Sequence, residues 1–374
     1  MSTSGRPVPA DLLRYHGDVA SRTATIDFAV NVRGSMPDWL THALTDSLGE
    51  LSSYPDPALD AKVRTALATN HGVHADNILL LSGAAEGFSL LPDLLVDESS
   101  QSNTPPAIVY PQFTEPEVAF AAADVTPEQV ITDKPWDIAQ VSSSTRRWPM
   151  LVVGNPTNPT SLVHSRADVL ALRGHTDLLV VDEAFMDVIH SGDYPGGVDP
   201  SVAGCVNDEL AGETQGELLV LRSMTKTWAL AGLRCGYAIG TPETLARLAK
   251  RRPAWPMGTI QMRAMLAIAT HGPAELPTIR DAIKAERKDM VDILRDAEWS
   301  VAPGQGPFVL ATPPVANAEV AREYLHDRGI AVRRCDTFPG LDSSWWRLAV
   351  RESAQVRTLV AAVHSYVKGT DHEH

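Results

Sequence analysis

The 374-residue sequence is poor in cysteine, has no long apolar run and carries no surplus of positive charge. Each shortage removes a class of explanation. Cys205, Cys235 and Cys335 are odd in number and widely spaced, so they form neither a disulfide framework nor the paired spacing of a zinc site. They read as reduced thiols, mostly buried. No stretch approaches the ~20 apolar residues that span a bilayer. The opening MSTSGRPVPADLLRYHGD lacks a basic flank followed by an apolar segment, so a cytoplasmic location without a membrane partner is expected. Lys and Arg number 32 against 46 Asp and Glu, a formal charge of -14, which repels nucleic-acid phosphates. A nucleic acid is therefore not an expected partner. No G-x-G-x-x-G follows the first strand-like runs, which argues against a nicotinamide dehydrogenase. No internal repeat or low-complexity tract is present.

What the sequence does contain is rhythm. The apolar runs NILLLS, AIVY, MLVVGN, DLLVVDEAF and ELLVLRS alternate with helix-length segments such as ALDAKVRTALATNHG, GAAEGFSLLPDLL, PQFTEPEVAFAAA and SRADVLALRG. Such alternation predicts a mostly parallel sheet between helices, with ligands bound where the strands' carboxyl ends meet their loops. HSGDYPGGVDPSVAGCVNDELAGETQG, rich in Gly, Asp and Pro, reads as a long surface loop. After about Thr241 the pattern changes to long helices, GTIQMRAMLAIAT and AELPTIRDAIKAERKDMVDILRDA, then to the short strands WSVAP, PFVLATP, IAVRRC and WWRLAV. The fold expected is α/β: an arm over residues 1–40 packing with a small domain, a large domain over 41–255, and a linking helix with a smaller α+β domain over 256–374.

The chemistry concentrates at the ends of those strands. Lys226, in Ser223-Met224-Thr225-Lys226, follows an apolar strand, is flanked by hydroxyls and has Arg234 within two helical turns. Taken alone it reads as a solvated lysine at a helix start. With those neighbours it can hold a carbonyl as a Schiff base while they bind a phosphate, the combination that pyridoxal 5'-phosphate (PLP) requires. Asp182 closes the run LLVVD, where a buried carboxylate needs a cationic partner such as a protonated pyridine nitrogen. Its neighbour Glu183 better fits the role of capping a following helix. In GNPTNPTS the two Asn-Pro pairs make a stiff turn, from which Asn158 can donate to a phenolate oxygen. SGAAEG opens a helix whose first amides can receive phosphate, and Phe113 offers an aromatic face to a ring.

The ordered series YPDP, GAAEG, NPTNPTS, DEAF, SMTK and AGLRCG resembles fold type I PLP enzymes of the class I/II aminotransferase superfamily. It is most similar to histidinol-phosphate aminotransferases and the threonine-phosphate decarboxylases of cobalamin synthesis. The likeness implies an aspartate aminotransferase-like fold with a seven-stranded type of sheet. It implies that Lys226 is the aldimine lysine and proton shuttle, Asp182 the pyridinium partner and Asn158 a donor to the ring oxygen. Ala84, Ala85, Ser223, Thr225 and Arg234 would form a phosphate cup. Tyr54 would reach the cofactor phosphate of a neighbouring subunit, which implies a homodimer with shared sites. Arg347 would grip the substrate carboxylate with Asn31 nearby, and Arg333 and Arg334 would add charge for a substrate phosphate. Two departures stand out: Val32-Arg33-Gly34-Ser35 replaces an N-Pro-Leu-Gly type of run, which makes Arg33 a further anion contact, and Phe185 replaces a tyrosine, removing a phenol. The expected activity is transamination of a small phosphorylated amino acid or amino alcohol. Decarboxylation of threonine phosphate is the alternative, and a PLP-binding regulator is disfavoured because no basic helix-turn-helix precedes the domain.

Overall fold

The computed structural model describes residues 17–95, 104–208 and 215–370. Residues 14–16 of the RYHGD start and 209–214 of the Gly- and Asp-rich stretch lie outside them. The first strand, β1 (Ile26–Asp27), stands apart from the large sheet. That sheet has seven strands: β2 (Ile78–Leu81), β3 (Ala107–Tyr110), β4 (Glu128–Ile131), β5 (Trp148–Gly154), β6 (Thr176–Asp182), β7 (Glu217–Ser223) and β8 (Gly236–Ile239), ordered β2-β8-β7-β6-β5-β3-β4. Only β8 runs antiparallel to its neighbours. The central strands are apolar throughout because both faces are covered. Leu151, Val153, Leu179, Val181, Leu218 and Val220 face a core shared with helix Pro57–His71 and the first half of helix Thr259–Asp296. Met150, Val152, Leu178, Val180, Leu219 and Leu221 face the other core, with Phe88 and Phe120 from helices Ala84–Leu90 and Glu115–Ala122.

β4 and β8 were not among the apolar runs read from sequence. β8 changes the local reading most, because β7 and β8 pair as antiparallel neighbours with Ser223 opposite Gly236. Met224 N donates to the Cys235 carbonyl at 3.0 Å, closing the intervening segment at its base. Thr225 to Leu233 therefore form turns rather than a helix, with Ala229 (φ 53°) and Arg234 (φ 61°) left-handed. Arg234 returns to Ser223 by strand register, not by helical spacing.

The C-terminal part comprises β9 (Ser300–Val301), β10 (Phe308–Thr312), β11 (Ile330–Ala331), β12 (Arg333–Arg334) and β13 (Trp346–Ala349). β12-β13-β10-β9 form an antiparallel sheet, while β1 pairs in parallel with β11. Phe28, just after β1, lies fully buried in the core of this part with Trp299, Leu325 and Trp346. The two helices read after residue 258 are one helix, Thr259–Asp296, 38 residues long with Pro273 and Pro277 inside. Pro273 cannot donate to the Ala269 carbonyl one turn back. Asn70 Nδ2 donates to that carbonyl instead, at 2.9 Å. Burial of Met262, Met265 and Ile268 in one core and Met290, Val291 and Leu294 in another holds the helix together across the prolines.

The Gly- and Asp-rich stretch is less of a surface loop than its composition predicts. Val202, Ala203, Cys205 and Val206 sit in the large core, and Asp193 is bound to Lys284 of the long helix at 2.9 Å. All three cysteines are free and buried. Among the described residues no helix is long and apolar enough to cross a membrane.

Candidate active site

The carboxyl ends of β5, β6 and β7 meet in register, with Gly154 opposite Asp182 and Asp182 opposite Leu221. Asn155 N donates to the Asp182 carbonyl and Glu183 N to the Leu221 carbonyl, both at 2.9 Å, so Asp182 is held between the Asn-Pro turn and the strand leading to Lys226. Its carboxylate lies deep among neighbouring atoms, the residue as a whole being half-buried. Burial raises it from 3.8 to about 6, against the Ala184 N–H donated at 3.0 Å and the charge of Lys226, and with the charge of Glu183. A further cation against it would be stabilised.

On one side of Lys226 lies a cup of donors. Ser223 and Thr225, both buried, share a 2.7 Å hydroxyl contact. β8 presses on the start of helix Ala84–Leu90, where a Cβ at Gly236 would stand 2.7 Å from Ala84 N. Gly83 (φ 81°) passes beneath the Arg234 guanidinium, which a Cβ there would meet at 3.0 Å. The Ala84 and Ala85 amides, in the first helical turn, have no intrahelical acceptor. Two hydroxyls, two amides and a guanidinium thus converge around a cradle that only glycine leaves open. Phe113 lies half-buried nearby, tilted against Phe88 with centroids 6.1 Å apart.

A second group brings together Asn158, Arg347 and Arg333. Asn158 Oδ1 accepts from Arg347 Nη1 at 3.0 Å, which leaves its Nδ2 to donate elsewhere. Arg347 Nη2 donates to the Ala29 carbonyl, its Nε has no partner, and its hydrogen bonds thus reach an amide and a carbonyl but no carboxylate. Burial pulls Arg347 down to about 9, and the positive charge of Arg333 pulls the same way. Arg333, directly opposite on the neighbouring strand, donates to Thr337 Oγ1 at 2.8 Å. Like charges in such a pair repel each other, so the site favours an anion. Asn31, also buried, leaves its Oδ1 without a partner.

Not every expected residue joins the site. Arg334 falls on the opposite face of its strand because successive side chains alternate, and it pairs with Asp336 (Nε to Oδ1, 2.7 Å) and Glu319. Arg33 is clamped by Glu286 at 2.5 Å. Tyr54 is 75% exposed and stacked on Trp255, outside its own chain's cup. Phe185 packs edge-on against Phe308, centroids 5.0 Å apart. Glu183 caps no helix: it accepts from Arg222 Nη1 at 2.5 Å, Ser201 Oγ at 2.7 Å and Val202 N at 2.7 Å. Arg222 also binds Asp187. Sequence reading missed this buried triad, although an arginine inside the apolar strand ELLVLRS demands acidic partners.

A lysine beside a buried aspartate, a glycine-lined anion cup and an arginine without an acid make the residues fit PLP. The chain belongs to the family described as aminotransferase class I and II, whose profile it matches over residues 25–363, and it is a PLP-dependent aminotransferase. It is 43% identical to a histidinol-phosphate aminotransferase of Mycobacterium tuberculosis over 365 residues, 96% of this chain and 92% of that protein. It is 28% identical to the threonine-phosphate decarboxylase of Salmonella typhimurium, with 92% of each covered. The solved histidinol-phosphate aminotransferase of Clostridium acetobutylicum shares its aspartate aminotransferase-like fold: TM-score 0.78, 22% identity, 92% of this chain and 99% of that one covered.

Proposed function

We propose that the protein moves an amino group to or from a small phosphorylated amino compound of the histidinol-phosphate class. When bound, the cofactor supplies an electron sink that lets the bond beside the substrate's amino nitrogen ionise. Lys226 would hold the cofactor's carbonyl carbon and, once the substrate's amine has displaced it, would carry the proton on its freed Nζ. Asp182 keeps the ring nitrogen protonated, Asn158 Nδ2 donates to the ring oxygen, and Phe113 provides the stacking face. Ala84, Ala85, Ser223, Thr225 and Arg234 take the cofactor phosphate, and Tyr54 reaches the site of a second copy in a homodimer. Arg347 and Arg333, with Asn31, anchor the substrate's phosphate or carboxylate. We assign residues 41–255 to the large domain, 256–374 to the linking helix and small domain, and 1–40 to the arm, in keeping with the pairing of β1 with β11.

The observation that carries the substrate class is the buried Arg347 opposite Arg333 with no acid among its own hydrogen-bond partners, a place for a doubly charged oxyanion. The 43% identity to a protein named for histidinol phosphate supports the same class. The test is to supply PLP-loaded protein with histidinol phosphate and, separately, threonine phosphate. Conversion of the cofactor to its amine form with histidinol phosphate supports the reading. Carbon dioxide release from threonine phosphate instead would replace it with decarboxylation. Lys226→Ala should abolish the yellow colour and lower turnover by at least about a thousandfold, ~4 kcal/mol of barrier, with the folded far-ultraviolet spectrum retained.

A further inference from the structure

A second cavity, of about 280 Å³, lies on the opposite side of β7 from Ser223, and Lys226, Asp182, Asn158 and Arg347 take no part in it. Gly272 and Pro273 of the long helix are among the residues that line it. Gly272 lets the helix approach Trp228 so closely that a Cβ would stand 2.8 Å from the indole ring. Pro273 leaves the Ala269 carbonyl to Asn70, as described above.

The walls divide by chemistry. Leu67, Met224, Trp228, Ile268 and Leu276 form an apolar side. Two arginines and two aspartates also line the cavity. Arg222, 5% exposed, uses Nη1 on Glu183 and Nη2 on Asp187, which leaves its Nε as a buried donor with no partner. Arg280 uses Nε on the Asp187 carbonyl at 2.7 Å, leaving its terminal nitrogens at the cavity. Asp199, at the exposed rim, accepts from Ser201 N at 3.0 Å. Tyr194 stands among them: burial pushes its phenol up, Asp199 adds to that, and Arg280 and Arg222 oppose it. Both signs of charge therefore reach one small space.

A bare anion here would face Asp187 and Asp199, and a bare cation would face Arg222 and Arg280. A zwitterion satisfies both, and an apolar group on it meets the remaining wall. We propose that this cavity is a second binding site for a free α-amino acid with an apolar side chain, its carboxylate on Arg280 and Arg222 Nε and its ammonium on Asp199.

The test is calorimetric titration of the PLP-loaded enzyme with L-leucine. One site per chain is expected, and Asp199→Asn and Arg280→Gln should each weaken it at least about tenfold, ~1.4 kcal/mol, while turnover is unaffected. Leucinol, which lacks the carboxylate, and 4-methylpentanoate, which lacks the ammonium, should also bind at least about tenfold more weakly. Arg347→Lys should leave L-leucine binding unchanged. Absence of binding, parent-like binding by the Asp199→Asn and Arg280→Gln variants, or loss on Arg347→Lys, which would put the ligand in the substrate pocket, each overturns the proposal.

Discussion

Arg222 and Arg347 are buried to the same degree, 5% and 6% exposed, yet their surroundings are opposite. Burial acts to lower both. Around Arg222 the charges of Asp187 and Glu183 outweigh it and hold the guanidinium above its ordinary value. Around Arg347 nothing outweighs it, and Arg333 lowers it further, to about 9. The charge of the first arginine is complete within the chain, although its Nε keeps no partner, and the guanidinium fastens strands together. The charge of the second is incomplete, with no acid among its hydrogen-bond partners, which fits the receptor role proposed for it.

The largest effect should come from breaking the complete case. Arg222→Met leaves Glu183 fully buried without its cation, and breaking such a pair costs about 3–5 kcal/mol. Urea unfolding measures this, and a loss below about 1 kcal/mol would erase the contrast. Asp182 gives an intermediate case, a buried acid whose rise is opposed by the Ala184 N–H and the charge of Lys226. Its folded carboxyl is raised from 3.8 to about 6, so its contribution to stability is fully present below 3.8 and lost as pH rises through about 6. The difference in unfolding free energy between cofactor-free parent and Asp182→Asn should therefore shift by about 3 kcal/mol between pH 3.5 and 7. A flat difference would mean the acid is solvated. Arg347→Lys sharpens the incomplete case: kcat/KM for a phosphorylated substrate should fall about a hundredfold, ~2.7 kcal/mol, while the urea midpoint moves little. Equal losses of stability and activity would make Arg347 another fastener.

Much of the cofactor half was legible because each part is a short segment at a strand end: the apolar runs place Asp182, Asn158 and Ser223, and the glycines beside them mark close approach. β8 was hidden because GYAI follows the arginine turn without a break, and β4 because EQVI, at the sheet edge, is half polar. The single long helix was hidden by its two prolines, whose cost is offset by burial in two cores. Arg333 and Arg334 could not be told apart before the strand's pleat was known. The Glu183, Asp187 and Arg222 triad was invisible to local reading, since it joins β6, the turn after it and β7.

The antiparallel pairing of Ser223 with Gly236 works as a ruler for the segment between them. Adding or removing one residue there would force a bulge or a register slip, and a slip turns every side chain of β8 to the other face. Gly236 would then no longer lie beneath Ala84, and a side chain would fill the cradle. The spacing between the lysine and its arginine should therefore resist length change more strongly than the identity of the residues between them, such as the exposed Gly232.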